Sequence, residues 1–578
     1  MYHSKITKEV SNQVHEILVD AVVKDAGTYF FRSDTGTSKT QGFIKAVASI
    51  VENSNKRFAI AVPTSEDAEA VYTGLHGLIG NKVAVWTKKH QDGLFGFPKY
   101  KAKTKSQVFV GTHKYLLDVK SDAKKFVGDR DCLIVDEVPN EMEMGVLKTT
   151  DFTAAVNVAV SLGLCSVGLL RKMDQKARKA LEELENNPQN NFSSFQNVSI
   201  ENLSKYHDEL HETTNDIVLK DTVQKVFDLL EASHQGRAFS RTQKVPRKNK
   251  QGAELLHCFI SDLNENFPTK VIFSATLDLD GFQFSPSYVE NVREGATVNY
   301  SNLSVQLVDW KQQKKHVKDI VSVSERREFA KKHLTDIIQR TEIGSQVLVV
   351  VPKLILSDME IAISGIEDRI IHITNYGRDV GSNKYKDCTE VILWHMLYKP
   401  THTTVGEYLN YSEKLSSYLD NINFNNGITG KFRQLGTDQQ YAVIKQMGSR
   451  GCVRFVKDDG TTHPMRLWIS WKDLDAKRLK RVFPNCVIRS DLVEKPQGNK
   501  RVRKDIVQRV SEYLLSLDDN LQEADWSHLK STIPIIVNRT KILAERALEF
   551  ELLGWAFVPA VSGRNGSPPR FIRVNTVL

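Results

Sequence analysis

Tyr29-Phe30-Phe31-Arg32-Ser33-Asp34-Thr35-Gly36-Thr37-Ser38-Lys39-Thr40 is an apolar run that breaks into a small, hydroxyl-rich loop and then opens an amphipathic stretch. A buried strand over Tyr29–Arg32, a loop, and a helix over Thr40–Glu52 form the context in which a phosphate-binding loop is credible. Exposed loop amides and a helix N-terminus both favour an anion. In that loop Asp34, Thr35, Gly36, Thr37 and Ser38 would line a nucleotide's phosphates, Lys39 would reach the β- and γ-phosphates, and Thr40 would bind Mg2+. The common form of the loop has glycine where Ser38 stands, and Ala or Gly where Ser33 stands.

Outward from this loop, short β-branched and apolar runs alternate with helical patterns. Phe58–Val62, Val83–Trp86, Val108–Val110 and Cys132–Val135 read as buried strands, with a helix over Ser65–Leu78 between the first two. Such alternation implies a parallel sheet covered on both faces. Functional loops in these sheets lie at the carboxyl ends of the strands. From Arg171 to about Leu263 the texture becomes charged and helical, with a basic loop over Arg241–Lys250, and reads as a helical insertion (171–263) in a first domain spanning 1–300. The sheet resumes at Lys270–Phe273. A second alternation, 301–494, has strands at Ser304–Val308, Gln346–Val351, Arg369–Ile373, Glu390–Leu393 and Met465–Ile469. Lys495–Lys504 is a Pro/Gly/charge linker. Residues 505–578 give helices over Asp505–Leu517, Trp526–Asn538 and Arg539–Leu553, then strands Trp555–Val561 and Arg570–Val574 around a tip carrying Arg564, a pattern that resembles a winged helix.

The chain's 578 residues are too many for one hydrophobic core, and 40% apolar with 26% charged residues suits a water-soluble globular protein. A net charge of +9 leans toward a polyanionic partner. Six cysteines lie far apart without a C-x-x-C pair, which disfavours a disulfide framework, a zinc ribbon or an iron–sulfur cluster and fits a reducing compartment. The N-terminus lacks the apolar core of a signal peptide. The uncharged stretch Phe152–Leu170 falls short of the ~20 strongly apolar residues of a membrane span and reads as a buried helix. The expectation is an intracellular chain without membrane contact, cytoplasmic, with Lys500–Lys504 read as a basic linker rather than a nuclear signal.

Cys132-Leu-Ile-Val-Asp-Glu137 is an apolar strand ending in two adjacent carboxylates, costly to bury without a cation. Asp136 would hold Mg2+ and Glu137 would orient and deprotonate an attacking water. Ser274-Ala275-Thr276 ends the strand after the insertion, and Gln446, Arg450 and Arg454 cluster near the end of the second alternation.

In this order the segments resemble superfamily 2 helicases, over roughly residues 25 to 475. The resemblance implies two tandem RecA-like lobes binding ATP and Mg2+ between them. Ser274 and Thr276 match the motif that couples hydrolysis to movement. Gln446, Arg450 and Arg454 match the motif whose arginines act on the γ-phosphate across the cleft. Pro63 and Thr64, Gly111, Thr112 and His113, and Gly381, Ser382 and Asn383 stand where that superfamily contacts a nucleic-acid strand. Val349–Pro352 suits a fourth motif. The departures are Val138-Pro139 after the acidic pair, an arginine spaced eight rather than seven residues from Gln446, and no upstream adenine-reading glutamine motif. A long interval from Glu137 to Ser274 resembles the arch insertion of the Rad3/DinG branch, whose cluster cysteines are missing.

The expected function is an ATP-dependent helicase or translocase gripping phosphates rather than bases. The winged-helix pattern, with Arg564 and the Arg539/Lys541/Arg546 set, favours DNA over RNA, and replication or repair proteins are the partner class in keeping with it. The competing reading is a catalytically weak binding or remodelling module, in which Ser38 and the shifted arginine mark decay.

Overall fold

The computed structural model describes residues 5–23, 26–87, 105–117, 129–138, 144–186, 192–195, 202–247, 250–260, 267–312, 315–377, 384–422, 430–471, 474–489, 506–517, 521–533, 543–544, 547–551, 553, 555–560 and 567–574. The chain divides into two compact units, Met1–Val493 and Glu494–Leu578.

The first unit is built on two all-parallel sheets. Strands β1 (Gly27–Arg32), β2 (Phe58–Val62), β3 (Val83–Trp86), β4 (Val108–Thr112), β5 (Cys132–Asp136), β10 (Thr269–Ser274) and β11 (Val292–Glu294) form one, in the order β11-β1-β10-β5-β2-β4-β3. Its central strands β10, β5, β2 and β4 are buried on both faces, which is why they read as continuous apolar runs. Along β2, Phe58, Ile60 and Val62 point into one core with Val10, Val14, Phe43, Val47 and Phe273, while Ala59 and Ala61 point into another with Phe30, Phe109, Leu133 and Ile272. The first core is closed by a helix over Lys5–Val23 that lies on the helix Lys39–Asn53.

The second sheet comprises β12 (Leu303–Leu307), β13 (Gln346–Val351), β14 (Ile370–Asn375), β15 (Glu390–Leu393), β16 (Met465–Ile469) and β17 (Val487–Arg489), in the order β14-β13-β15-β16-β12-β17. It too is two-sided. Leu348, Val350, Val391 and Leu467 face one core, and Val347, Val349, Val351, Ile392 and Trp394 face the other. Trp310 and Trp394 are core residues here, their indole N–H groups donating to His395 and His333.

Between β5 and β10 lies the insertion. It carries helices Thr149–Leu162, Val167–Asn186, Leu203–Thr213 and Ile217–His234 around its own apolar core. The uncharged stretch from Phe152 contributes Phe152, Ala155 and Ala159 to that core. It also holds a four-stranded antiparallel sheet absent from the sequence reading: β6 (Met144–Lys148), β7 (Phe192–Ser194), β8 (Ala238–Arg247) and β9 (Lys250–Ile260), ordered β6-β9-β8-β7. Of the basic stretch Arg241–Lys250, expected as a loop, Arg241–Arg247 belong to strand β8 and Lys250 opens β9, with pairing running from Arg241↔Leu256 to Arg247↔Lys250. Backbone pairing sets that ribbon, and a charged ribbon carries none of the apolar alternation by which strands are read.

In the second unit, the described residues form helices Ile506–Leu515, Trp526–Thr532 and Ala547–Glu551 and an antiparallel sheet of β18 (Glu523–Ala524), β19 (Trp555–Val558) and β20 (Arg570–Arg573), ordered β18-β20-β19. Trp526, Leu529, Phe550, Trp555 and Phe571 fill its core. Asp525 caps the second helix by accepting the Ser527 N–H. Arg564 and the Arg539/Lys541/Arg546 set lie outside the described residues. Among the described residues no helix is long and apolar enough to cross a membrane.

Candidate nucleotide cleft

The loop after β1 closes on itself. Thr37 Oγ1 donates to the Asp34 carbonyl at 2.7 Å and lies 3.0 Å from Ser33 Oγ. Lys39 Nζ donates to the carbonyls of Ser33 and Asp34 at 2.8 and 2.9 Å. Lys39 is buried, and burial lowers its pKa against the opposing pull of Glu137, Asp136 and Asp34. Ser38 explains the usual glycine: its backbone is left-handed (φ 65°, ψ 30°), a conformation an L-residue enters at a cost of about 1–2 kcal/mol. The serine adopts the geometry that glycine would adopt, and its exposed side chain makes no capping bond.

Helix Lys39–Asn53 places Thr40 against the end of β5, where Thr40 Oγ1 donates to Asp136 Oδ2 at 2.8 Å. Burial, then the neighbouring Glu137 charge, push the Asp136 carboxyl up to about 7. Glu137 follows in a left-handed conformation (φ 67°), its N–H donating to the Phe273 carbonyl of β10. These two oxygen donors fit a Mg2+ ion, a hard cation that takes one or two protein oxygens and completes its shell with water and phosphate. A cation there would also offset the burial penalty that raises the Asp136 pKa. Among the described residues no group of three or more His, Cys, Asp or Glu could hold a metal by itself.

From Glu137 a chain of hydrogen bonds crosses to the second lobe. Ser274 Oγ donates to Glu137 Oε2 at 3.1 Å and lies 3.2 Å from Thr276 Oγ1. Gln446 Nε2, from the helix Gly430–Gly448, donates to Thr276 Oγ1 at 3.3 Å. Thr276 also donates to Asp280, whose carboxyl burial pushes up to about 7. Gln439 of the same helix donates to the Asp280 carbonyl at 3.2 Å and to Glu407 Oε2 at 2.6 Å.

Arg450 and Arg454 both reach this place. With Thr35, Glu137, Ala275, Lys445 and Gln446 they line one small pocket. Arg454 feels the charges of Glu137, Asp67 and Asp136, although burial dominates and lowers its pKa. The eight-residue spacing is absorbed by a short 3-10 turn over Cys452–Arg454. Gly36 approaches this turn so closely that a Cβ would stand 2.2 Å from the Arg454 carbonyl oxygen.

The candidate strand-contacting residues sit side by side at the carboxyl ends of β2 and β4, where Ala61 pairs with Gly111 and Val62 with Thr112. Thr64 caps helix Ser65–Ile79, accepting the Asp67 N–H and donating to its carboxylate. His113 turns inward: its Nε2 lies 2.9 Å from the Asp136 carbonyl, and burial lowers its pKa to about 4. Gly381, Ser382 and Asn383 lie outside the described residues. Asp280, Glu407, Gln439 and Lys445 were missed by sequence reasoning.

Comparison with known proteins bears on this geometry. Residues 12–153 match the family model described as DEAD/DEAH box helicase. The chain's fold is similar to S. tokodaii Xpd4 at 13% identity, covering 84% of this chain and 100% of that one, with a TM-score of 0.44. It is also similar to S. cerevisiae Dbp5 bound to RNA and ADP BeF3, at 12% identity and a TM-score of 0.37, covering 84% and 90% of the two chains. No curated protein matches the sequence.

Proposed function

We propose that this chain is a superfamily 2 helicase that hydrolyses ATP in the cleft between its two parallel sheets and uses the cycle to move along nucleic acid, with DNA as the track. The observation that carries the reading is the hydrogen-bond path Glu137–Ser274–Thr276–Gln446, which joins the carboxylate beside the phosphate loop to the second lobe.

The phosphate loop, Asp34 to Thr40, binds the triphosphate through its amides, and Lys39 moves from its carbonyl partners to the phosphates. Thr40 and Asp136 hold Mg2+, which supplies neutralisation of phosphate charge when bound. Glu137 orients and accepts a proton from the attacking water. Arg450 and Arg454 place positive charge where charge develops in the transition state. Ser274 and Thr276 report the state of Glu137 to Gln446, and so couple hydrolysis to lobe movement. His113 serves by fixing the backbone of Asp136. Pro63, Thr64, Gly111 and Thr112, with Gly381–Asn383 of the second lobe, hold the strand by its phosphates.

The preference for DNA rests on the second unit, where helices precede a small antiparallel sheet in the manner of a winged helix. Competition binding with matched single-stranded DNA and RNA tests it. Tighter RNA binding by the full chain, unchanged on deleting residues 494–578, would make RNA the track.

A further inference from the structure

One residue before Gln446 stands Lys445, a buried lysine to which the reading above gives no role. Its side chain is 3% exposed, and its ammonium lies 2.7 Å from Asp34 Oδ1 in the phosphate loop of the other lobe. It also donates to the Tyr300 hydroxyl at 2.9 Å and to the Val482 carbonyl at 2.7 Å. The second oxygen of the same carboxylate, Asp34 Oδ2, accepts the Val298 N–H at 2.7 Å. Val298 and Tyr300 belong to the stretch that links β11, in the first sheet, to β12, in the second. A single carboxylate in the phosphate loop therefore holds both the connection between the lobes and the helix that carries Gln446.

Placed alone, each charge would be a defect. A carboxylate beside a phosphate loop repels the triphosphate, and a lysine buried in a helix pays a large desolvation cost. Paired, they offset one another, at a point where a structural ion pair elsewhere in the core would have no consequence for chemistry. Gln446, Arg450 and Arg454 follow Lys445 within nine residues along the chain, so its position fixes where they start. Arg32 and Arg481 share Asp278 nearby, at 2.6 and 3.1 Å, adding a second ion pair between the lobes on the same side.

We infer that Lys445 is a positioning residue for hydrolysis: bonded to Asp34, it sets the register of Gln446, Arg450 and Arg454 against the phosphate loop as the cleft closes. The inference rests on the ATPase reading of the cleft. Its test is a double-mutant cycle in the full chain with Asp34→Asn, Lys445→Met and the pair. Nucleic-acid-stimulated turnover and the Kd of a fluorescent ADP analogue are both measured. Each single change is expected to lower kcat about tenfold while the Kd stays within about threefold, and the double variant to be no slower than the worse single one. Should Lys445→Met not fold, the near-isosteric Asp34→Asn alone decides by the same split between kcat and Kd. Unchanged kcat with a lowered melting midpoint, or single effects that multiply in the double variant, would overturn the positioning role and leave the ATPase standing. A wild-type chain that binds no nucleotide and hydrolyses none would overturn both.

Discussion

Replacing Gly36 by alanine tests whether the juxtaposition of the two lobes is the working arrangement of the cleft. Gly36 has φ +81°, and a Cβ there would stand 2.2 Å from the Arg454 carbonyl oxygen and 2.9 Å from its carbonyl carbon. Both neighbours are backbone, so neither can rotate aside. The left-handed conformation costs an alanine about 1–2 kcal/mol, a factor of roughly 5 to 30 in population of the loop geometry. Relieving the contact to an ordinary 3.4 Å requires the turn Cys452–Arg454 to withdraw by more than an ångström. Misplacement of about 1 Å in a catalytic arrangement is worth about 10²-fold in rate. The expected result is therefore a kcat about 10²-fold below wild type, with nucleotide binding weakened by roughly 5- to 30-fold. Steady-state hydrolysis in saturating nucleic acid gives the first quantity, and titration with a fluorescent nucleotide the second. Circular dichroism establishes that the variant is folded. Turnover of Gly36→Ala within about threefold of wild type would refute the reasoning, because the lobes would then react from a more open arrangement.

Arg450→Ala and Arg454→Ala should each lower turnover about 10³-fold with little change in nucleotide Kd, since both line the cavity beside Glu137; loss from one alone would assign the finger to it. Ser38→Gly should leave turnover within about twofold, because the loop already holds the left-handed conformation, while Ser38→Val, β-branched, should lower it about tenfold. Asp280 gives a pH signature. Its carboxyl is raised by burial to about 7, so the folded state binds the proton more tightly than the unfolded one, and this group's contribution to stability falls as pH rises from the ordinary value of 3.8 through about 7. Asp280→Asn lacks that penalty, and its melting midpoint relative to wild type should rise between pH 5 and pH 8; a constant difference would contradict the assignment.

Legibility in the sequence followed the apolar pattern. The strands Phe58–Val62, Gln346–Val351, Glu390–Leu393 and Met465–Ile469 coincide with their sequence-read bounds because each is buried on both faces. The edge strands Val292–Glu294 and Val487–Arg489 did not show, being three residues long and only partly buried. The hairpin of β8 and β9 was hidden by its charge. Within the cleft, Lys39, Thr40, Asp136, Glu137, Ser274, Thr276, Gln446 and the two arginines were legible because each follows a strand end or falls in a short motif. Lys445 meets Asp34 of the phosphate loop and Gln439 meets the Asp280 carbonyl, and no local pattern marks a residue whose partner lies so far along the chain. His113 was read as facing a nucleic-acid strand, and only the tertiary contact with the Asp136 carbonyl shows its other attachment.

The most direct measurement of the account is ATP hydrolysis by the full chain with no nucleic acid, single-stranded DNA, single-stranded RNA and duplex, with Lys39→Ala alongside. The rate is expected to rise severalfold with single-stranded DNA and to vanish in Lys39→Ala. A folded chain that binds nucleic acid yet hydrolyses no ATP in any of these conditions would contradict it, and would leave the second unit as a binding platform.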